Sequence, residues 1–418
     1  MDKGSTYEVK DLKLAEQGRL NIELAEKRME IVNKIRDRFS KEKPFNGITI
    51  GMALHLTKET AILVRALRAG GANVAIASCN PLSTQDDVAA ALAEEGVRVY
   101  GYRGETTEEY YRYLDNVISE KPAITIDDGC DLVTRIHEKY PGQISSIIGG
   151  CEETTTGIIR LHSMVKAGAL KYPVVAVNDN KTKHLLDNYY GTGQSTLDGL
   201  IRASATLISG KTFVVVGYGS CGKGVSLRAR GMGANVIVTE VDNFKALQAV
   251  LDGFRVMKME DASGLGDIFI TVTGDKNVIR LEHMKKMKDG AILANSGHFD
   301  VEIDMASLKG FSRRQMRPNF HEYDIDGRKI YVCAEGRLVN LAAAEGHPSE
   351  VMATSFAGQA LACEYLVKNK GKLGAGVVML PESIDDDISK LQLDAMGISI
   401  DKLTEEQIEY LSSWKTGT

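Results

Sequence analysis

Lys183 and Asp187, in the segment NKTKHLLDN, stand four residues apart, so on a helix they share a face. At a surface such a pair is an ion pair worth roughly a few tenths of a kcal/mol. Enclosed, it is a lysine whose proton affinity a carboxylate adjusts, which acid–base chemistry can use. A second group lies where strand Thr212–Val216 runs into Gly217-Tyr218-Gly219-Ser220-Cys221-Gly222 and a further strand leads to Glu240, 18 residues beyond Gly222. The first glycine permits a turn, the second lets backbone approach a pyrophosphate, and the third permits close helix packing. Glu240 can then accept two ribose hydroxyls and repel a 2′-phosphate, so this pattern reads as dinucleotide binding with NAD favoured over NADP.

Polar residues also stand at the ends of earlier strands, where open α/β sheets bind ligands. His55 follows GITIGMAL, Asp127 and Asp128 follow AITI, Glu152 and Glu153 open EETTTG, and Asn178 and Asp179 follow PVVAV. Any one of these carboxylates suits a helix N-cap; four strand ends of the same kind suit a site. In NSGHFDVEID, His298 is either a satisfied core histidine or a group on a loop reaching the interdomain cleft.

These residues need a layered α/β frame. Short β-branched runs (GITIGMAL, NVAIAS, RVYGY, AITIDD, QISSIIGG, YPVVAVN) alternate with helical patterns such as KETAILVRALRAGG and TQDDVAAALAEEGV. A second winding follows from TFVVVGYGSCGKG through NVIVTEVD, FRVMKM, IFITVTG and AILANSG. The fold expected is α/β, two Rossmann-like doubly wound parallel-sheet domains plus a small helical C-terminal segment. The boundaries expected are residues 1–186, completed by about 348–379, for the first domain, 187–347 for the second, and 380–418 for the C-terminal segment. Hinges fall near Asp187 to Gly193 and near His347, with one long helical pattern over Ser355 to Lys368.

The 418 residues carry 51 Lys and Arg against 56 Asp and Glu, a net charge of −5, which argues against nucleic acid as a partner. The start MDKGSTYEVK lacks a signal-peptide pattern, and no apolar run reaches membrane-spanning length, so the expectation is a cytoplasmic protein without a membrane partner. The six cysteines lack CxxC spacing, so no metal and no disulfide framework is expected.

HLTKETA, SCNPLSTQDD, DDGCDL, EETTTG, VNDNKTKHLLDN, GYGSCGKG, NSGHFDVEID and GRLVNLAAAEGHPSEVM, in this order, closely resemble the S-adenosyl-L-homocysteine hydrolase family, from about residue 8 to residue 411. The resemblance implies NAD as a catalytic, unconsumed cofactor and a homotetramer. It implies reversible cleavage of S-adenosyl-L-homocysteine to adenosine and L-homocysteine by 3′ oxidation, elimination, water addition and reduction. It also implies that Lys183, helped by Asp187, accepts the 3′-hydroxyl proton. Asp128 then takes the 4′ proton, His55 handles the protons of thiolate and water, and Glu153 holds the ribose hydroxyls. Thr57, Glu59, His347, Met352 and Phe356 fall at substrate positions, and His298 with Phe299 at a gate. Thr154, Thr155, Thr156, Asn188, Gly217, Gly219, Ser220, Cys221, Gly222, Glu240, Lys245, Ser296, Gly297 and Asn340 fall at cofactor positions.

The sequence departs from the commoner family pattern at Thr192, where many members have cysteine, at Lys245 for an asparagine, and at Glu345 for an apolar residue. It ends SSWKTGT, without the Lys-Pro-x-x-Tyr-Arg-Tyr tail, which implies a cofactor sealed by other residues or exchanged faster. Three alternatives stand beside this reading: a non-catalytic NAD-sensing paralogue, a 2-hydroxy-acid dehydrogenase, and a hydrolase of S-inosyl-L-homocysteine. The last turns on Glu59, whose carboxylate accepts from adenine's amine but would face the oxygen of hypoxanthine.

Overall fold

The computed structural model describes residues 6–415; the first five residues and the last three of the SSWKTGT tail lie outside the described residues. The strands of the first sheet are β1 Tyr7–Glu8, β2 Thr49–Ala53, β3 Asn73–Ala77, β4 Arg98–Tyr100, β5 Ile124–Asp127, β6 Gly149–Glu152 and β7 Pro173–Ala176. The second sheet holds β8 Thr212–Val216, β9 Asn235–Thr239, β10 Arg255–Val256, β11 Ile268–Thr271, β12 Ile292–Asn295, β13 Ser312–Arg317, β14 Phe320–Ile325 and β15 Arg328–Cys333. The last strand, β16 Gly376–Val378, returns to the first sheet beside β7.

The first sheet runs β1-β4-β3-β2-β5-β6-β7-β16 and the second β10-β9-β8-β11-β12-β15-β14-β13. Every pairing of the first is parallel. Its central strands are apolar on both faces: Ile50, Met52, Ile76 and Ile126 enter one core layer, and Ala53, Ala75, Ala77 and Val174 the other. In the second sheet Phe213 and Val215 face one layer while Val214 and Val216 face the opposite one. Alternate side chains therefore bury against helices on both sides, which is why these strands read as continuous apolar runs.

Both sheets reverse strand order once near their centre, between β2 and β5 in the first and between β8 and β11 in the second. A crevice opens at the carboxyl ends of strands at such a point, because the loops on either side leave in opposite directions. Helix Ser349–Lys368 returns the chain to the first sheet, and its Glu364 accepts both guanidinium arms of Arg38 at 2.8 Å. Helix Glu382–Ala395 packs beside it, whereas helix Glu405–Ser412 buries no residue.

Several elements differ from the sequence pattern. QISS forms a 3₁₀ turn over Pro141–Ser146, and the strand begins only at Gly149. The two glycines that open β6 lie against neighbours a side chain would strike, Leu366 and Pro173 for Gly149 and Thr125 for Gly150. A central strand is thus hidden by residues chosen for close packing rather than β propensity. The hairpins β13–β14 and β14–β15 add an antiparallel edge to a sheet expected to be wholly parallel. The long helix starts at Ser349, six residues before the expected Ser355.

Candidate functional site

One cavity of about 1010 Å³ runs between the two crevices, and its walls include residues that follow strands of the first sheet, such as His55, Asp128 and Glu153, and residues in and after strands of the second, such as Val216, Gly217 and Thr239. Of the residues singled out from the sequence, Asp127, Glu152, Asn178, Asp179, Gly222 and Phe299 do not line it, and the other candidate site residues do. Gly222 instead sits behind the turn, where a Cβ would run into the carbonyl of Gly217, so its contribution is close helix–strand packing. Phe299 lies edge-on to His298, with ring centroids 4.5 Å apart, and under the guanidinium of Arg160.

At the first crevice, each doublet of carboxylates divides its work. Asp127 and Glu152 point beneath the strand ends and are fully buried, while Asp128 and Glu153 follow them into the cavity. Asp127 accepts from the backbone N–H groups of Asp128 and Val133, and Glu152 from those of Gly129 and Thr154. Burial pushes the Asp127 carboxyl up to about 7 and the Glu152 carboxyl well above the ordinary range. Which member of each doublet turns inward is not legible from the residue types alone.

Lys183 belongs to an unusual π-helix, Thr182–Gly191, rather than an ordinary α-helix. It is buried, pairs with Asp187, donates to Asn188 Oδ1 at 2.8 Å, and lies 3.4 Å from Glu153 Oε1. Burial works against its charge, but Asp187 and then Glu153 outweigh it and hold the ammonium above the ordinary lysine value. For Asp187, burial is likewise overcome by Lys183 and then His347, so its carboxyl stays well below the usual range. The surface ion-pair reading of this spacing is therefore wrong for this chain. Glu153 is held by the Ser355 hydroxyl and by Gln359 Nε2 at 2.5 Å, two residues of helix Ser349–Lys368 that sequence reasoning missed as its partners. Their i,i+4 spacing marks a shared face, but nothing local says what that face meets.

Across the cavity, His55 Nε2 lies 3.4 Å from Asp128 Oδ2 and His298 Nδ1 lies 3.6 Å from Asp128 Oδ1. His55 Nδ1 is 2.7 Å from Ser83 Oγ, and that hydroxyl also donates to the carbonyl of Asn80. With its single proton spent there, Ser83 accepts from Nδ1–H and leaves a free lone pair on Nε2. Burial, against the pull of Asp128, lowers the imidazole to about 4, so the ring is neutral at physiological pH.

Thr57 caps helix Lys58–Ala69, and Glu59 in its first turn is only 2% exposed rather than solvent-facing. Ser349 donates to Glu59 Oε1 at 2.6 Å, which fixes the carboxylate as an acceptor at the cavity wall beside Met352 and Phe356.

At the second crevice, Gly217 has φ +105°, a left-handed backbone, and a side chain on Gly219 would meet nothing within 4 Å. The turn is thus open toward the cavity, as a diphosphate requires. Glu240 accepts from the backbone N–H groups of Tyr218, Val241 and Asp242. Thr154 precedes helix Thr155–Lys166, and Asn178 Oδ1 accepts from Thr155 and Asn188. Ser296 lies 2.5 Å from Thr196 Oγ1, Gly297 donates to Asn295 at 2.7 Å, and Lys245 is an exposed residue at the rim. Asn340 donates to Ser195 while its buried Oδ1 has no partner among the described residues. Such an acceptor suits a carboxamide NH₂, so the residues present fit a nicotinamide dinucleotide.

Comparison with known proteins agrees with this geometry. The family model "S-adenosyl-L-homocysteine hydrolase" matches residues 6–141, and "S-adenosyl-L-homocysteine hydrolase, NAD binding domain" matches residues 188–346. The chain is similar to an S-inosyl-L-homocysteine hydrolase from Methanocaldococcus jannaschii, 58% identical over 99% of this chain and 100% of that one. It is similar also to an adenosylhomocysteinase from Thermosynechococcus vestitus, 57% identical over 99% of this chain and 97% of that one. A third relative is an adenosylhomocysteinase from Aquifex aeolicus, 56% identical over 99% of this chain and 100% of that one.

Proposed function

The chain belongs to the S-adenosyl-L-homocysteine hydrolase family, an NAD-dependent hydrolase, and from that premise we propose that its nucleoside substrate is S-adenosyl-L-homocysteine, cleaved reversibly to adenosine and L-homocysteine. The observation that carries the choice of base is Glu59, buried, facing the cavity and fixed by Ser349 as an acceptor. Adenine's exocyclic amine satisfies such a group, whereas the oxygen of hypoxanthine brings two acceptors together. A second reading, S-inosyl-L-homocysteine, is favoured by the name of the Methanocaldococcus jannaschii relative.

NAD, held by the residues of the second crevice, would supply hydride-transfer chemistry for the outer redox steps at the ribose 3′ carbon. The protons fall to the chain. Lys183, as the free amine, accepts the 3′-hydroxyl proton, with Asp187 and Asn188 holding the ammonium that results and Glu153 holding the ribose hydroxyls. Asp128 takes the 4′ proton, made acidic by the neighbouring ketone. Its carboxylate lies within relay distance of His55 Nε2, which passes the proton to the departing sulfur. His55, neutral at the working pH, then accepts a proton from the attacking water. His298 and Phe299 gate the homocysteine end. Thr57, His347, Met352 and Phe356 line the base pocket.

Thr154, Thr155, Thr156, Asn188, the 217–222 turn, Glu240, Lys245, Ser296, Gly297 and Asn340 hold the cofactor in this reading. The substrate domain is residues 1–186 completed by 348–379, the cofactor domain 187–347, and the C-terminal segment 380–418. In that segment Ile408, Leu411 and Trp414 are exposed, which supports burial against another copy in a cytoplasmic homotetramer. No helix among the described residues is long and apolar enough to cross a membrane.

Incubating the purified protein with S-adenosylhomocysteine or S-inosylhomocysteine and a thiol reagent tests the proposal. Faster thiol release from the adenosine substrate, with bound NAD unconsumed, is expected. A preference for the inosine substrate overturns the choice of base, and no thiol from either overturns the activity.

A further inference from the structure

The chain crosses between the two sheets twice, through the 182–204 helical stretch and again just before helix Ser349–Lys368. His347 lies on the second crossing, yet its ring reaches the first. Nδ1 is 2.5 Å from Asp187 Oδ1, the oxygen that Lys183 leaves free by pairing with Oδ2. Gly191 makes room, since a Cβ there would lie 2.7 Å from His347 Nδ1 and 3.0 Å from Asp187 Oδ1. Asp187 is an ionised acceptor, so Nδ1 carries a proton.

On the other side of the ring, Nε2 lies 3.2 Å from Thr192 Oγ1, which also lies 3.5 Å from Cys221 Sγ. Thr192 has one hydroxyl proton. The hydroxyl donates it to Cys221 Sγ, and the hydroxyl oxygen stays within hydrogen-bond distance of His347 Nε2. The two contacts, to Asp187 on one side and Thr192 on the other, fix the orientation of the His347 ring. Both Thr192 and Asp187 are buried, at 4% and 1% exposure, so water does not compete for these bonds.

We propose that Thr192 and His347 are positioning residues for the oxidation step: Thr192 orients His347, His347 holds one oxygen of Asp187, and Asp187 is thereby aimed at Lys183 with part of its charge engaged. The inference rests on the reading of Lys183 as the base that takes the 3′-hydroxyl proton. A lysine facing an anion engaged by nothing else keeps its proton too firmly to act as a base. A second donor on the same carboxylate eases that proton away and ties the two crossings together. This gives a role to Thr192, the position at which the chain departs from the commoner cysteine.

Single-turnover measurements on the NAD-loaded enzyme with S-adenosylhomocysteine separate the rise of bound NADH from the later release of thiol. Thr192→Val, which removes the hydroxyl at constant shape, is expected to slow the first phase about tenfold while leaving thiol release from the oxidised complex unchanged. Thr192→Ser should restore the rate to within about twofold, and His347→Asn, whose amide can replace the Nδ1 donor, should retain more than His347→Leu. A readout independent of turnover is deuterium uptake at the C2 position of His347, which should change in Thr192→Val and return in Thr192→Ser. Wild-type first-phase rates in both Thr192→Val and His347→Leu overturn the proposal, as does equal slowing of both phases. Should His347→Leu not fold, the Val and Ser variants decide. Lys183→Met run in parallel keeps the premise separate, because near-normal NADH formation in that variant overturns the role of Lys183 itself.

Discussion

Asp127 and Glu152 are register partners on β5 and β6, both at 0% exposure, and in each case the next residue is the carboxylate that faces the cavity. Glu152 ties Gly129, beside Asp128, to Thr154, beside Glu153, through two backbone N–H groups at 2.9 and 3.1 Å. Gly157 leaves room for that carboxyl, which a side chain there would strike. Since burial favours its protonated form, glutamine is a close stand-in. Glu152→Gln should keep stability and bound cofactor, whereas Glu152→Ala strands both N–H groups at about 1–3 kcal/mol each and should release NAD more readily. Thermal unfolding and the NAD content after gel filtration check this; equal behaviour of the two variants contradicts it.

Lys183→Ala should fold and bind NAD but form bound NADH from adenosine about 100- to 10,000-fold more slowly. In the parent the pH dependence has a definite sign. Because Asp187 and Glu153 hold the ammonium above its ordinary value, the base form is scarce, and the oxidation rate should rise with pH through the neutral and alkaline range. In the alanine variant that rise should vanish, and stopped-flow traces at several pH values would reveal it if it persists.

Asp128→Asn should part the redox step from the elimination. The ketone can still form while the 4′ proton loses its acceptor, so bound NADH should accumulate with little exchange of the 4′ hydrogen into heavy water. Rapid exchange in this variant, followed by mass spectrometry, would move the role to another group near the cavity, with Lys183 first in line.

Glu59→Gln should shrink discrimination between the adenosine and inosine substrates. Mispairing a buried polar group costs about 1–3 kcal/mol, roughly tenfold to a hundredfold in specificity, and a glutamine amide can turn to donate or accept. Ser349→Ala should act in the same direction by freeing the carboxylate that Ser349 now fixes. The ratio of kcat/KM values for the two substrates is the measurement, and an unchanged ratio in Glu59→Gln removes Glu59 from base selection.

Glu105, away from the site, gives a prediction about stability. Burial pushes its carboxyl up to about 8, and Oε1 has no partner among the described residues. A carboxyl raised on folding favours the folded state fully below the ordinary value of about 4.3 and loses that contribution as pH climbs toward the folded value. Glu105→Gln should therefore be more stable than the parent by about 1–3 kcal/mol near neutral pH, with the difference closing in acid. Urea denaturation across the pH range reads this directly.

The sequence by itself determined the local parts. β-branched runs between helical patterns fix the winding of both sheets, because strands buried on two faces must be apolar throughout. The spacing Gly217, Gly219, Gly222 and Glu240 carries its own meaning, since a tight turn and a strand-end carboxylate are set by chain geometry within one βαβ unit. The ordered motifs fixed the family and with it the cofactor. What lay outside local pattern was left to the tertiary structure. The glycines opening β6 hide a central strand because close packing chose them. In the pairs Asp127 and Asp128, and Glu152 and Glu153, sequence shows two equal carboxylates, and only strand pleat and the loop above decide which is buried. The spacing of Lys183 and Asp187 suited a solvated pair until helix Ser349–Lys368 and His347, distant along the chain, closed over them and made the pair dry. Burial is a property of what packs across a gap, and neither periodicity nor spacing along one segment contains it.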